Sequence, residues 1–311
     1  MVSVDAVTDG RPLGVSGFVP TDRVAARAAE AAEVTALYRI AAEAVPEAPV
    51  LVTVHGNGVD HAVAQHVVVE AGAFSKATVV FRFTGSATLA DNVEIVVEDG
   101  AQLTVVSIDD WADDAVRVGH KHVAVTFGGD VVRMDANVRY AGPGGSAEML
   151  GLYFADAGQH IEHRLFVDHT APRTKSHVVY KGALQGQGAH TVWIGNVLIR
   201  KVAEGIETYE ENRNLVLTDG ATADSVPNLE IETGEIEGAG HASATGRFDD
   251  EQLFYLRSRG ISEAEARRLV VHGFFTDLIR QIGVPELEEK LVATVEAELE
   301  KNVLNEKKDN D

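Results

Sequence analysis

In VEIVVEDGA, Val93, Ile95 and Val97 alternate with Glu94, Val96 and Glu98. This is the two-residue period of a strand with one buried face. From about Val50 to Gly246 the chain consists of short runs rich in Val, Ile, Thr and Leu separated by Gly, Asp and Asn, and no proline falls between Pro49 and Pro143. That texture predicts consecutive strands and tight turns. The string VEAGA at Val69–Ala73 recurs as VEDGA at Val97–Ala101, with LTDGA at Leu217–Ala221 as a looser echo. A strand–turn–strand unit that repeats fits stacked coils, each hydrogen-bonded to the one below. A sandwich would show similar turns, and the repetition leans toward the solenoid.

Helical patterns flank this region. TDRVAARAAEAAEVTALYRIAAEA, Thr21 to Ala44, is alanine-rich and free of Gly and Pro, with Thr21 or Asp22 as N-cap, and Pro46 and Pro49 follow it. One helix over the whole stretch is expected. Downstream, Asp249 with Gln252 fits a capping box, Gly260 suits a left-handed stop, and Ser262 with Glu265 opens a helix running to about Ile282. Pro285 starts a third helix that ends in the charged tail KNVLNEKKDND. The expected organisation is an N-terminal helical segment over 1–49, a β core over 50–247 and a C-terminal helical domain over 248–311. Ala266, Leu269, Val270, Gly273, Phe274, Leu278 and Ile282 form an apolar helical face, preceded by Phe254, Tyr255 and Leu256. Most of that face is expected to close the end of the β core. The remainder, with Arg257 and Arg259 at its rim, has the aromatic and arginine character of a docking surface.

Charge and composition narrow the function. A formal charge of -21 over 311 residues repels nucleic acid and anionic membranes. No cysteine is present, so thiol nucleophiles, disulfides and thiolate metal sites are excluded within this chain, while imidazole and carboxylate ligation stay open. Asp5 and Asp9 fall where a secretion signal needs an apolar core, and no run approaches the about 18 apolar residues of a membrane span. A soluble cytoplasmic protein is expected. The chain contains no GxxxxGK[ST], GxSxG or HExxH, and GALQGQGAH lacks the third glycine of a dinucleotide loop. His120 with His122, the group His160, Glu162 and His163, and the cluster Asp109, Asp110, Asp113 and Asp114 are candidates for metal or acid–base chemistry. Decoration of solvated coils is the competing account for each.

The segment RNLVLTDGATADSVPNLEIETGEIEGAGHASATGRFDDEQLFYLRSRGIS, Arg213 to Ser262, resembles the C-terminal signature of the SufB/SufD family of iron–sulfur cluster assembly proteins. HTAPRTKSHVVYKGAL, His169 to Leu184, and the small-residue spacing around Gly195 resemble the same family, so the likeness covers roughly the second half of the chain. It implies a mainly β fold: a right-handed parallel β-helix between N-terminal and C-terminal helical parts. SufB proteins carry a cysteine where matching on Pro227 places Ala221, and many relatives carry another where this chain has Ala239. SufD proteins lack the first cysteine and keep a histidine that His241 matches, so the chain most resembles SufD.

The resemblance implies a non-catalytic scaffold subunit that pairs with a SufB-like subunit near the end of the β-helix. It also implies docking of a SufC-like ABC ATPase through the C-terminal helical region, where Phe254, Tyr255, Arg257, Arg259 and Phe274 are the candidate partner-binding residues. No cofactor would be held tightly by this chain alone, and a transient iron–sulfur cluster would be shared with SufB in the complex. Neutral imidazole is a competent iron ligand, so His241 is the candidate for the non-sulfur corner of that cluster; a packing role in the last coil is the alternative. A polysaccharide-acting β-helix enzyme of the secreted type and a freestanding homodimeric binding protein are the alternative functions.

Overall fold

The structure, a computed structural model, describes residues 2–6, 19–20, 23–32, 34–120, 124–247, 250–281, 288–289 and 291–297. The chain winds into a parallel β-solenoid of about seven turns, as the sequence and the resemblance lead one to expect. The early strands are β1 (Val2–Ala6), β2 (Val34–Ile40), β3 (Val50–Ala71), β4 (Lys76–Val97), β5 (Gln102–Trp111), β6 (Val116–His120) and β7 (Ala124–Phe127). The later ones are β8 (Val131–Arg139), β9 (Ser146–Ala155), β10 (His160–His169), β11 (Lys175–Leu184), β12 (His190–Ile199), β13 (Glu207–Val216), β14 (Thr222–Ile231) and β15 (Gly238–Arg247). Pairing skips one strand each time, so β5–β7–β9–β11–β13–β15 form one ladder and β6–β8–β10–β12–β14 the other, joined through the long β4. VEAGA and VEDGA end up at the same kind of corner, between β3 and β4 and between β4 and β5, whereas LTDGA turns the opposite corner, between β13 and β14.

The N-terminal segment is not helical throughout. Helix α1 spans only Arg23–Ala31, and VTALYRI, expected to continue it, is strand β2, pairing in parallel with β3 from Val34↔Gln65 to Ile40↔Ala71. Its β-branched and aromatic side chains suit a pleated surface, and the neighbouring coil supplies hydrogen-bond partners that override a modest helix preference. Strand β1 adds antiparallel to β2. Helix α1 lays Ala25, Ala28 and Ala29 onto β3 and β4, and Asn92 Nδ2 donates to the Ala25 carbonyl at 3.0 Å.

Alternation sends every second side chain inward. Opposite neighbours in the ladder exchange bulk: Gly151 pairs with Tyr180 and Tyr153 with Gly182. A Cβ on Gly151 would lie 2.0 Å from the Tyr180 ring, and one on Gly182 would lie 1.9 Å from the Tyr153 ring. The two rings flank His163, whose centroid is 5.1 Å from that of Tyr153 and 5.4 Å from that of Tyr180. Burial among them pushes the His163 imidazole down to about 3, so it is neutral throughout the physiological range.

Among the described residues, the helical stretches 263–281 and 291–297 do not close an end of the solenoid; they cover its flank. Helix α2 spans Asp250–Ser258 and α3 Glu263–Gln281, with a further helical stretch at 291–297. Val271, Phe275, Leu278, Ile279, Leu291 and Val295 pack on the outward side chains Leu150, Leu152, Phe154, Val179 and Ala183. The first ladder therefore buries both faces, which explains its near-continuous apolar runs. Buried Lys181 pins α3 in place, donating to Asp277 Oδ1 at 2.6 Å and to the Phe274 carbonyl at 3.0 Å. Gly260, at φ +85, ends α2, and Ser262 caps α3 by accepting from the Glu265 amide at 3.3 Å, both as expected. Asp249, Ile282 and Pro285 lie outside the described residues, as does the charged tail.

Gly182→Ala is expected to destabilise the chain by about 1–3 kcal/mol or more, because the new methyl overlaps the Tyr153 ring and close-packed coils leave the ring nowhere to move. Gly142→Ala, whose Cβ would meet nothing within 4 Å, should stay within about 0.5 kcal/mol of the parent in urea unfolding. Equal midpoints for the two variants would contradict the interlocked core.

Candidate functional site

Towards the last coil the solenoid interior turns from apolar to polar. Before Val216 at its end, the inward positions of β13 are Thr208, Glu210, Asn212 and Asn214, all buried. They stand in register with Ala239, His241, Ser243 and Thr245 of β15. On the other ladder, Trp193 and Gly195 of β12 pair with Ser225 and Pro227 of β14. A hydrogen-bond chain runs outward along these groups. Tyr153 Oη donates to Asn214 Oδ1 at 2.6 Å, Ser225 Oγ to Asn212 Oδ1 at 2.7 Å, and Ser243 Oγ to Ser225 Oγ at 2.8 Å. Strands β14 and β15 terminate the two ladders, each with one neighbour among the described strands. Among the described residues nothing pairs with their outer edges.

His241 stands on this last coil with 43% of its side chain exposed. Its Nδ1 lies 3.8 Å from Oε1 of Glu210, its ladder partner, whose side chain is 1% exposed. Glu210 is seated by an absence: a Cβ on Gly195 would lie 2.3 Å from Glu210 Oε2 and 2.4 Å from Trp193 Cη2. Glu210 Oε1 and Trp193 Nε1 have no hydrogen-bond partner among the described residues. Burial pushes the Glu210 carboxyl up to about 7. Ala239, two residues before His241, packs its methyl against the interior cluster, as does Ala221. The last coil thus offers an imidazole and a carboxylate but no sulfur.

The other candidates separate. On a strand, His160 and Glu162 share the outer face while His163 points inward, so the three do not converge. His160 Nδ1 instead meets His190 Nδ1 at 3.2 Å, and His190 Nε2 bonds Asp224 Oδ2 at 2.8 Å. Asp109 is buried and accepts from Ser107 Oγ at 3.1 Å, Asp110 faces Arg82 at 3.4 Å, and Asp113 accepts from Gln159 Nε2 at 3.2 Å. The side chains of His120 and His122 lie outside the described residues. Among the described residues no group of three or more His, Asp or Glu could hold a metal ion. On α2, Phe254 and Tyr255 are 74% and 55% exposed. Arg259 lies over the Tyr255 ring at 4.8 Å, and Arg257 Nη1 reaches Glu263 at 3.3 Å. Phe274 is placed differently: half-buried, it lines an open groove with Tyr209, Arg213, Leu215, Ser243 and Gly246.

Glu210 is the residue that sequence reading misses. In ETYEENRN both parities of β13 are polar, so alternation does not reveal which set turns inward. Only Gly195, small where a strand prefers bulk, hints at a large neighbour.

Comparison with known proteins places these features in context. Residues 53–274 match the family model described as "SUF system FeS cluster assembly, SufBD core domain". An iron–sulfur cluster assembly SufBD family protein of Mycobacterium tuberculosis (strain CDC 1551 / Oshkosh) is 57% identical over 316 residues, covering 96% of this chain and 80% of the relative. Its counterpart in Mycobacterium leprae (strain TN) is 54% identical over 308 residues, covering 94% and 78%. One from Staphylococcus aureus (strain USA300) is 29% identical over 211 residues, covering 64% and 45%.

The raised Glu210 pKa has a signed consequence. Below about pH 4.5 the carboxyl is protonated in both folded and unfolded chains; between there and about pH 7 the unfolded chain releases a proton that the folded chain keeps, so stability falls as pH rises. Glu210→Gln is therefore expected to be more stable than the parent at pH 8, by about 1–3 kcal/mol, with the gain vanishing near pH 4. Urea unfolding at the two pH values checks this, and an unchanged difference between them would contradict it.

Proposed function

The chain belongs to the SufBD family of iron–sulfur cluster assembly proteins, and from that premise we propose that it is a non-catalytic, SufD-like scaffold subunit whose open last coil pairs with a SufB-like subunit. The observation that carries this reading is the placement of His241: half exposed, on the inward register of a terminal strand, between two sheet edges that are unpaired among the described residues. Edge strands present free N–H and C=O groups that a second solenoid end can complete. In such a joint His241 faces the partner and contributes an imidazole to a transient, shared cluster.

Since this chain has no cysteine, the sulfur ligands of such a cluster come from the partner. With Ala221 and Ala239 supplying only methyl groups, this side of the joint handles iron through nitrogen and oxygen donors. The exposed ring pair Phe254 and Tyr255, with Arg257 and Arg259 beside it, is the docking surface for a SufC-like ABC ATPase. Phe274, in the groove against β13 and β15, belongs to the SufB-like joint rather than to that surface. Among the described residues no helix is long and apolar enough to cross a membrane, and we place the assembly in the cytoplasm.

Anaerobic cluster reconstitution on the complete complex tests the role of His241. His241→Ala should leave folding and complex formation intact while lowering cluster yield per mole of assembled complex several-fold, and His241→Cys should recover part of it, since thiolate also binds iron. Equal yields for the parent and both variants would remove His241 from the site.

A further inference from the structure

Glu210 is an anomaly as a structural residue. A buried carboxylate without a hydrogen-bond partner costs stability, and a glutamine or an apolar side chain of similar size would fill the same space more favourably. The fold nevertheless makes room for it, because Gly195 gives up its Cβ where that atom would overlap Glu210 Oε2 at 2.3 Å. The unpartnered oxygen, Oε1, is the one nearest His241 Nδ1, across 3.8 Å. Two donors bound to one first-row metal, each at about 2.1 Å, lie about 3.0–3.4 Å apart, so a small side-chain rotation closes the gap around a cation.

We propose that Glu210 Oε1 and His241 Nδ1 form the protein half of a site for a single divalent cation of the ferrous type at the open end of the solenoid. This builds on the reading of that end as the place of cluster assembly and adds a ligand supplied from inside the coil. A carboxylate with an imidazole suits Fe(II), Co(II) or Zn(II) and disfavours soft, thiophilic ions. No third protein ligand converges there among the described residues, so the remaining positions are open to water, sulfide or groups of a second subunit. Exposure fits the order of events: His241, at 43%, is reached first, and Glu210, at 1%, completes the grip from within.

The experiment is anaerobic equilibrium dialysis of the whole chain with Fe(II) alone, paralleled by the visible spectrum of Co(II). Loss of an outer-shell partner already costs 10–100-fold in metal affinity, so His241→Ala and Glu210→Gln should each weaken binding of one cation per chain by at least about tenfold. Both variants should still unfold cooperatively in urea, Glu210→Gln at or above the parent's midpoint, since one is at a half-exposed position and the other is isosteric. Absence of stoichiometric binding by the parent, or parent-like affinity in either variant, overturns the proposal. A His241-dependent cluster yield in the full complex alongside such a result would leave the broader function standing and remove only this site.

Discussion

A parallel solenoid satisfies the backbone of each coil only through the coils above and below it. Every strand interior here has a neighbour one coil away, as where His160 pairs with His190 across 30 residues. The constraint fails at the ends, where a strand has one neighbour and needs another. At the N-terminal end the chain adds β1 antiparallel to β2 and lays α1 over β3 and β4. At the other end β14 and β15 have no cover among the described residues, because α3 and the stretch at 291–297 pack on the flank of the first ladder. The open coil is thus a consequence of where the C-terminal helices bind, and Lys181, gripping Asp277 and the Phe274 carbonyl, is one of the contacts that hold them there.

The interior supports that asymmetry. In the middle coils Tyr153, Tyr180 and Trp193 fill the space against glycines, and His163 is held neutral between the two tyrosines. One coil further on, Asn212 and Asn214 take the inward places, and beyond them Ser243 and Thr245. A polar interior at an unfinished end is poor for stability in isolation and useful for binding, because it presents donors and acceptors that solvent or a partner can complete. Glu210 is the extreme case: stability favours its neutral form, whereas ligation of a cation needs its charge.

Much of the frame was legible in the chain. Alternation in VEIVVEDGA, the glycine stop at Gly260 and the cap at Ser262 reflect local rules that the fold obeys, and the resemblance over Arg213 to Ser262 carried the solenoid and His241. The errors came where context overrides local preference. VTALYRI sits in an alanine-rich, proline-free stretch and reads as helix until β3 is there to pair with it. The apolar face of α3 was legible, but whether it caps an end or covers a flank depends on which ladder is apolar on both sides. The parity that separates His163 from His160 and Glu162 follows directly from a strand assignment, whereas the inward turn of Glu210 does not, since its strand is polar on both faces.

On our proposal the edges of β14 and β15, uncovered among the described residues, form the assembling end of this SufBD family protein. Amide hydrogen exchange of the chain, free and mixed with a SufB-like subunit, tests it most directly, because unpaired edge amides exchange freely until a partner strand covers them. New protection is expected, concentrated in Thr222–Ile231 and Gly238–Arg247, with the β3 and β4 amides unchanged. Protection confined to α1 or to the early coils, with β14 and β15 exchanging as in the free chain, would contradict it.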